Sequence, residues 1–328
     1  MSIARVVLRR LAMLIPTLLV ASIMIFLLEH IVPGGPAAGL LGSSASPARV
    51  AAENVRLGLN HPLPVLYWNW VSGAFRGQLG TSYTTGVPVW TIIGQRAEPT
   101  IELILGTLIV SAILSLGIGI WSASHARSRP AKLVYSLSAL GFSVPAFWVA
   151  AIAAGVFALK LGLVPATGFV PLSQSLWGNI HSVILPVAVL SVTTTAILTQ
   201  QVRVAMDAVL RAPYIRTERA AGIRERTILW HHGLRAGMTP LLTLVPLIVA
   251  GLVGATVLVE NVLAIPGEGS EILTSVSSLD YPLLQGIVLM LALIVILLNL
   301  AVDVINLLTD PRVRRNADTA GGVARSMS

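Results

Sequence analysis

The chain has 328 residues, of which 55% are apolar and 11% charged, with a formal net charge of +8 and a mean hydropathy of +0.83. That is more apolar surface than one core of a water-soluble domain can bury, so the composition excludes this class and indicates a membrane protein. The chain contains no cysteine, which excludes disulfides, thiolate metal ligands and cysteine nucleophiles.

Six uncharged runs are long enough to cross a bilayer core of about 30 Å as helices, which takes roughly 20 residues each. They comprise residues 11–28, 103–123, 133–159, 182–201, 238–259 and 282–302. The first run follows three arginines, as a signal peptide would, but it is longer than a signal core of about 7 to 15 residues and no small-x-small cleavage site follows it. We therefore predict an all-α membrane protein with six transmembrane helices.

The basic residues predict the orientation of these spans. Seventeen of the 22 lysines and arginines fall before the first span, after the last span, or in the loops after spans two and four. The positive-inside rule therefore places both termini in the cytoplasm. A nucleic-acid partner is not indicated, because these charges are scattered over four segments that lie beside anionic lipid.

The predicted organisation has four parts. Residues 1–32 hold the cytoplasmic N-terminus and the first span, 33–98 an extracytoplasmic segment, 99–310 spans two to six, and 311–328 a cytoplasmic tail. In the extracytoplasmic segment, apolar residues from Leu66 to Phe75 recur at helical spacing, which suits either a helix in the membrane interface or a small packed cap. A second external loop carries acidic side chains that we expect to face a partner protein: Glu260, Glu268, Glu271 and Asp280.

Residues 211–235, hereafter the basic loop, lie in the long cytoplasmic loop 207–236 and hold six arginines and two glutamates. These charges exclude a further span, because each arginine costs about 2.5 to 3.5 kcal/mol in a membrane. Pro213 marks a break, residues 216–221 favour a helix, and Gly222 permits a bend. Past it, Ile223, Thr227, Trp230 and Leu234 share one face, so the pattern predicts two short helices joined by an elbow. Exposed apolar residues among arginines suit a groove on another protein, or alternatively lipid headgroups.

No catalytic motif accompanies the spans. Neither Lys132 nor Lys160 follows a glycine, as the lysine of a phosphate-binding P-loop does, so energy must come from a partner subunit or an ion gradient. The runner-up class, an ion-driven secondary transporter or channel, tends to place ionisable groups in mid-membrane, and the six runs have none. The His231–His232 pair favours a structural or docking role over metal binding, since adjacent helical residues point about 100° apart.

Polar side chains in the spans are the candidates for a translocation path, although each of them also suits a hydrogen bond to helix backbone. They are Ser143, Thr193, Thr194, Thr195, Thr199, Gln200 and Gln285.

The stretch "PYIRTERAAGIRERTILWHHGLR" resembles the cytoplasmic loop of permease subunits of bacterial ABC importers, in the branch that carries dipeptides, oligopeptides and nickel. Further segments are similar to that family in the same order, among them "VPGGPA", "RGQLGTSY", "SVPAFWVA", "LGLVPATGF" and "VENVLAIPGEG". Two departures fall in the loop: Glu218 replaces the usual alanine and Ala221 the usual lysine.

This resemblance implies a type I importer permease in the bacterial cytoplasmic membrane. Its implied partners are a second homologous permease, two ATPase subunits that bind ATP and Mg²⁺, an extracytoplasmic binding protein and a peptide cargo. This chain itself is expected to bind no cofactor or metal. The residues expected to couple it to the ATPase are Tyr214, Arg216, Thr217, Glu218, Arg219, Ala220, Gly222, Ile223 and Trp230.

Overall fold

The computed structural model describes residues 15–27, 35–42, 45–141 and 144–309. Helices are the regular elements of this part of the chain, with one isolated β-bridge between Thr81 and Pro88. The prediction of an all-α protein is therefore confirmed. The backbone hydrogen bonds of its apolar segments are made within each helix, as hydrocarbon surroundings require.

The chain divides into two compact units. One comprises the residues up to Glu98 and those from Gly267 onward, and the other comprises Pro99–Pro266. The helices of the first unit are α1 Ile15–Leu27, α2 Gly35–Leu41, α3 Pro47–Arg56, α4 Leu63–Phe75, the start of α5, α12 Glu268–Ser278 and α13 Tyr281–Thr309. Those of the second unit are the rest of α5 (Val89–Ser124), α6 Arg129–Gly141, α7 Ala146–Ala153, α8 Leu176–Leu210, α9 Pro213–Ala220, α10 Glu225–Ile228 and α11 Leu234–Val262.

Four described helices are long and apolar enough to cross a membrane: Val89–Ser124, Leu176–Leu210, Glu225–Val262 and Tyr281–Val302. They contain the second, fourth, fifth and sixth predicted runs. Helix α8 has 35 residues, a length of about 52 Å, whereas the hydrocarbon core is about 30 Å thick. Its ends therefore extend beyond the hydrocarbon, which allows charged residues such as Arg203 and Asp207 to lie in its last turns.

The third predicted run, residues 133–159, forms two helices instead of one. Helix α6 ends at Gly141 and α7 begins at Ala146, directly after Pro145. Proline restricts the residue before it to extended conformations, so Val144 cannot continue a helix into it. After Ala153 the helix widens into a π-helical segment, Ala154–Lys160. Of the first predicted run, the structure describes residues 15–27, which form α1. This described helix is shorter than a full membrane span.

In the second unit, glycines allow α5 and α11 to approach α8 closely at Val202, which is fully buried. A Cβ added at Gly119 of α5 would lie 2.7 Å from Val202 Cγ1, and one added at Gly237 of α11 would lie 3.2 Å from the same atom. Small residues at such contacts bring helix backbones together where no hydrophobic effect drives association. This packing sets the distance between α8 and α11, the two helices that flank the basic loop.

In the first unit, α4 packs on α1 through two aromatic side chains. Tyr67 hydrogen bonds Ser22 at 2.9 Å and meets the Phe26 ring edge-on, with 5.4 Å between centroids, and Trp70 stacks on the same ring. The predicted helix in this segment is confirmed. None of its 13 residues is buried, and Phe75 is 87% exposed.

A buried carboxylate holds the loop that precedes α5 against the start of α13. Asp280 is fully buried and accepts hydrogen bonds from the hydroxyls of Ser82 and Thr84 and from the backbone N–H groups of Tyr83 and Thr84. A carboxylate supplies only acceptors, which matches four converging donors. Asp280 therefore links two segments almost 200 residues apart in the chain.

We expect Gly119→Ala to destabilise the protein by about 1 to 3 kcal/mol, because the added methyl group meets the rigid, buried Val202 side chain. Gly117→Ala is the matched control, since a Cβ there meets nothing within 4 Å. Thermal unfolding in detergent measures the difference. Equal melting temperatures for the two variants would contradict this account of the α5–α8 contact.

We expect Asp280→Asn to cost about 1 to 3 kcal/mol, because the amide NH2 group would face hydrogen-bond donors and leave at least one of them unsatisfied. Asp207→Asn is the control, because the Asp207 side chain is 41% exposed and forms an ion pair with Arg211 one turn later, at 2.9 Å. The two melting temperatures are compared in the same detergent. If Asp207→Asn lowered the melting temperature as much as Asp280→Asn, the hydrogen bonds of Asp280 would not be what stabilises this contact.

Candidate functional site

The basic loop forms the two short helices and the elbow that its sequence predicts. Helix α9 ends in a Schellman motif, in which the N–H of Ile223 donates to the carbonyl of Glu218 and the N–H of Gly222 donates to that of Arg219. Gly222 has a φ of +79°, which costs an L-residue with a side chain roughly 1 to 2 kcal/mol. The chain then turns into α10 and a π-helical turn, Leu229–Gly233, that runs directly into α11.

Two isoleucines that the sequence analysis did not single out anchor the loop. Ile215 of α9 and Ile228 of α10 are fully buried, although charged residues lie within three positions of each in the sequence. The π-helical turn lies against α8, where a Cβ at Gly233 would come within 2.8 Å of the Met206 sulfur. For Ile215, the one large aliphatic residue of the charged helix α9, the sequence held a signal, because such a helix needs an apolar position to pack.

An ion pair closes the elbow. Arg219 Nη2 lies 2.6 Å from Glu225 Oε1, and Arg219 Nε donates to Glu225 Oε2 at 3.0 Å. These hydrogen bonds lower the pKa of Glu225 and raise the pKa of Arg219. Because the pKa of Glu225 is lowered in the folded loop, the pair's contribution is present at neutral pH and is lost only as the pH falls through that lowered value.

A second contact joins α9 to the π-helical turn. Glu218 Oε1 lies 2.9 Å from His232 Nε2, and the His232 ring meets Tyr214 edge-on at 5.7 Å. His232 is thus engaged within the loop, while His231 is exposed beside it. Both contacts bring residues of the predicted coupling set together with partners further along the same loop.

The remaining coupling residues face outward. Tyr214, Ile223 and Trp230 are exposed, Trp230 by 62%, together with Arg216, Thr217 and Ala220. A basic helix pair with exposed aromatic and aliphatic side chains suits either a groove on another protein or lipid headgroups.

A cavity of about 330 Å³ lies between the start of α7 and the middle of α8 and α11. Its floor is buried, and its rim carries the exposed side chain of Leu247. The lining holds no charged group, and its two hydroxyls come from Thr193 and Thr194. The lining residues are Val144, Pro145, Ala146, Leu190, Thr193, Thr194, Ile197, Leu244, Leu247, Ile248, Gly251, Leu252 and Ala255.

Two of the predicted path residues therefore reach this cavity. The Thr193 hydroxyl donates to the Gly141 carbonyl at 3.4 Å and the Thr194 hydroxyl to the Leu190 carbonyl at 3.1 Å. The other predicted residues of α8, which are Thr195, Thr199 and Gln200, do not line it. Gln285 is buried in the first unit, and Ser143 lies outside the described residues.

The apolar residues that line the cavity were not predicted from the sequence, because only polar residues were considered as candidates for the translocation path. Leu190, Thr193, Thr194 and Ile197 follow a spacing of three and four, which marks one face of a helix. That spacing was the signal that could have identified the cavity wall.

The prediction that the acidic residues of the second external loop face a partner is wrong for three of them. Glu260 and Asp280 are fully buried and Glu268 is 3% exposed. Glu260 accepts a hydrogen bond from Thr100 at 2.7 Å, and Asp280 accepts the four hydrogen bonds described above. Glu271 pairs with Arg96 at 3.1 Å. Burying a carboxylate is costly unless donors or cations neutralise it, so these groups are engaged inside the chain and cannot form an acidic docking surface.

Comparison with known families supports the resemblance of the sequence. The family described as binding-protein-dependent transport system inner membrane component matches residues 115–315, and the corresponding N-terminal membrane component family matches residues 3–104.

Curated relatives match over nearly their whole length. A probable peptide ABC transporter permease protein of Sinorhizobium fredii is 35% identical over 308 residues, which cover 94% of this chain and 98% of the relative. A glutathione transport system permease protein of Salmonella typhimurium is 34% identical with the same coverage. A dipeptide transport system permease protein of Alkalihalophilus pseudofirmus is 34% identical, over 93% of this chain and 98% of the relative.

The apolar helices, the basic elbow and these matches together show that the chain belongs to the family of binding-protein-dependent transport system inner membrane components, and it is an ABC importer permease of the cytoplasmic membrane.

Proposed function

We propose that this permease imports dipeptides and oligopeptides, and that an ATPase drives it through the basic loop. The observation that supports this most directly is the elbow, which presents exposed apolar residues and arginines while buried isoleucines fix it to the rest of its unit. The relatives reported above are named for peptide, dipeptide and glutathione transport, and this is the support for a peptide cargo. An ion-driven mechanism is disfavoured by the family and by the uncharged spans.

The proposed assembly contains a second homologous permease, two ATPase subunits and an extracytoplasmic substrate-binding protein. ATP and Mg²⁺ are bound by the ATPase subunits, because this sequence has no Gly-Lys-Ser/Thr motif to hold a triphosphate. Six spans with both termini in the cytoplasm place the basic loop on the side where ATP is available. The four long helices, α1, and α7 with its π-helical extension are compatible with this topology.

Force transmission follows from the connectivity of the loop. The basic loop has no flexible connection to α11, because α10, the π-helical turn and α11 are consecutive. A displacement of the elbow by an ATPase is therefore carried into α11, which together with α8 forms walls of the cavity. We propose that this cavity is part of the translocation path, with Thr193 and Thr194 as its polar groups.

Replacement of Gly222 tests the coupling role. We expect Gly222→Val to uncouple ATP hydrolysis from peptide uptake without preventing membrane insertion, because a β-branched residue at φ +79° destabilises the elbow. Gly222→Asn is the matched variant, since asparagine tolerates this backbone region and should keep most of the activity. Peptide uptake and ATPase activity are measured in proteoliposomes that contain the whole complex. If ATP hydrolysis and peptide uptake remained fully coupled in Gly222→Val, the backbone conformation at Gly222 would not be required for the function of the basic loop.

Narrowing the cavity tests the translocation path. Gly251 lines the cavity and has open space at its Cβ position, so Gly251→Val is expected to fill the rim without a clash and to reduce peptide uptake severalfold. Gly254→Val is the control: Gly254 is in the same helix, is equally open and does not line the cavity. Both variants are assayed for expression and for uptake. Equal effects would show that the cavity is not on the route of the cargo.

A further inference from the structure

The charged residues between Pro213 and Gly233 of the basic loop fall into two groups according to their contacts. Both carboxylates of the loop are engaged inside it: Glu225 with Arg219, and Glu218 with His232. These contacts connect α9 to α10 and α9 to the π-helical turn. They are the contacts that the two glutamates make across the elbow in the described part of the chain.

The second group consists of Arg216, Arg224 and Arg226. All three side chains are exposed, and none forms an ion pair within the described residues. Arg226 also lines a shallow open groove together with Thr227, Trp230 and His231. Because Glu225 is paired with Arg219 and Glu218 lies against His232, the three arginines that form no ion pair within the described residues make the outward surface around Tyr214, Ile223 and Trp230 basic.

Building on the proposed function, we infer that Arg219 and Glu218 are positioning residues that hold the elbow, and that Arg216, Arg224 and Arg226 contact the ATPase. The ATPase surface that fits them has an apolar floor for Trp230 and Ile223 and an acidic rim for the three arginines. Opposite charges at the rim of an interface steer association and make it dependent on salt, whereas apolar side chains at its centre supply most of the affinity.

The inference assigns a different role to two residues that the sequence analysis placed in the ATPase contact. Glu218, which stands where the resembling loops usually have alanine, lies against His232 within the loop, with Oε1 2.9 Å from Nε2. Arg219 extends across the elbow, where its guanidinium forms two hydrogen bonds with Glu225. The residues that recognise the partner are therefore those flanking the elbow.

Exchanging the charges of Arg219 and Glu225 distinguishes a positioning role from direct contact with the ATPase. Arg219→Glu and Glu225→Arg each place like charges across the elbow. Each is expected to lower coupled uptake about two- to fivefold, which corresponds to the free energy that an exposed ion pair contributes. The double variant R219E/E225R restores an attractive pair and is expected to recover uptake to within about twofold of the native protein. Recovery supports the inference, because a partner that contacted Arg219 would still meet a reversed charge. A double variant as impaired as R219E, or single variants without effect, would overturn it.

Charge reversal on the outward face tests the acidic rim. We expect R216E and R226E to weaken binding of the purified ATPase to the detergent-solubilised permease about tenfold and to reduce its salt dependence. Arg127→Glu is the control, because it makes the same charge change on another predicted cytoplasmic segment. Native affinity and native salt dependence in R216E and R226E would overturn the acidic-rim inference.

Trp230→Ala distinguishes this inference from the proposed function on which it rests. If the basic loop did not couple the permease to an ATPase at all, Trp230→Ala and every charge variant would leave uptake unchanged. If the coupling role is right and the assignment of charges is wrong, Trp230→Ala impairs uptake while the double charge swap fails to recover it.

Discussion

The close approach of α8 and α11 around Val202 is the contact on which the functional regions of this permease depend. Gly237 of α11 faces Val202 and lets the two backbones come together, and the fully buried valine fills the remaining space. At one end of this helix pair lies the basic loop, which connects α8 to α11. Near its middle lies the cavity, which takes much of its lining from the same two helices. Both places therefore depend on the same packed contact.

The helices and the loop have opposite chemical requirements. A span in hydrocarbon must satisfy its backbone internally and excludes charge, whereas an element that receives mechanical work from another protein needs exposed side chains and a defined shape. The loop obtains its shape from few interactions: two buried isoleucines, one glycine with positive φ, the Arg219–Glu225 ion pair and the contact between Glu218 and His232. These interactions hold the elbow without removing Trp230 or the outward arginines from the surface.

Buried carboxylates perform a similar positioning function elsewhere in the chain. Asp280 joins the start of α13 to the loop before α5, and Glu260 at the end of α11 accepts a hydrogen bond from Thr100. Such groups are tolerated because donors surround them, and removing the donors would leave an expensive buried charge. In the sequence they are acidic residues of a predicted external loop, and nothing in their local pattern distinguishes a buried, hydrogen-bonded carboxylate from one that faces a partner protein.

The sequence by itself determined the membrane class, the all-helical fold, the positions of four long apolar helices and the bend at Gly222. These features follow from local rules: hydrophobic length, charge placement and the backbone freedom of glycine. Tertiary structure decided the burial of Ile215 and Ile228, the internal partners of Glu218 and Arg219, and the selection of Thr193 and Thr194 among the polar residues of α8. These depend on which residues distant in the chain meet, and the side-chain pattern of one helix does not contain that information.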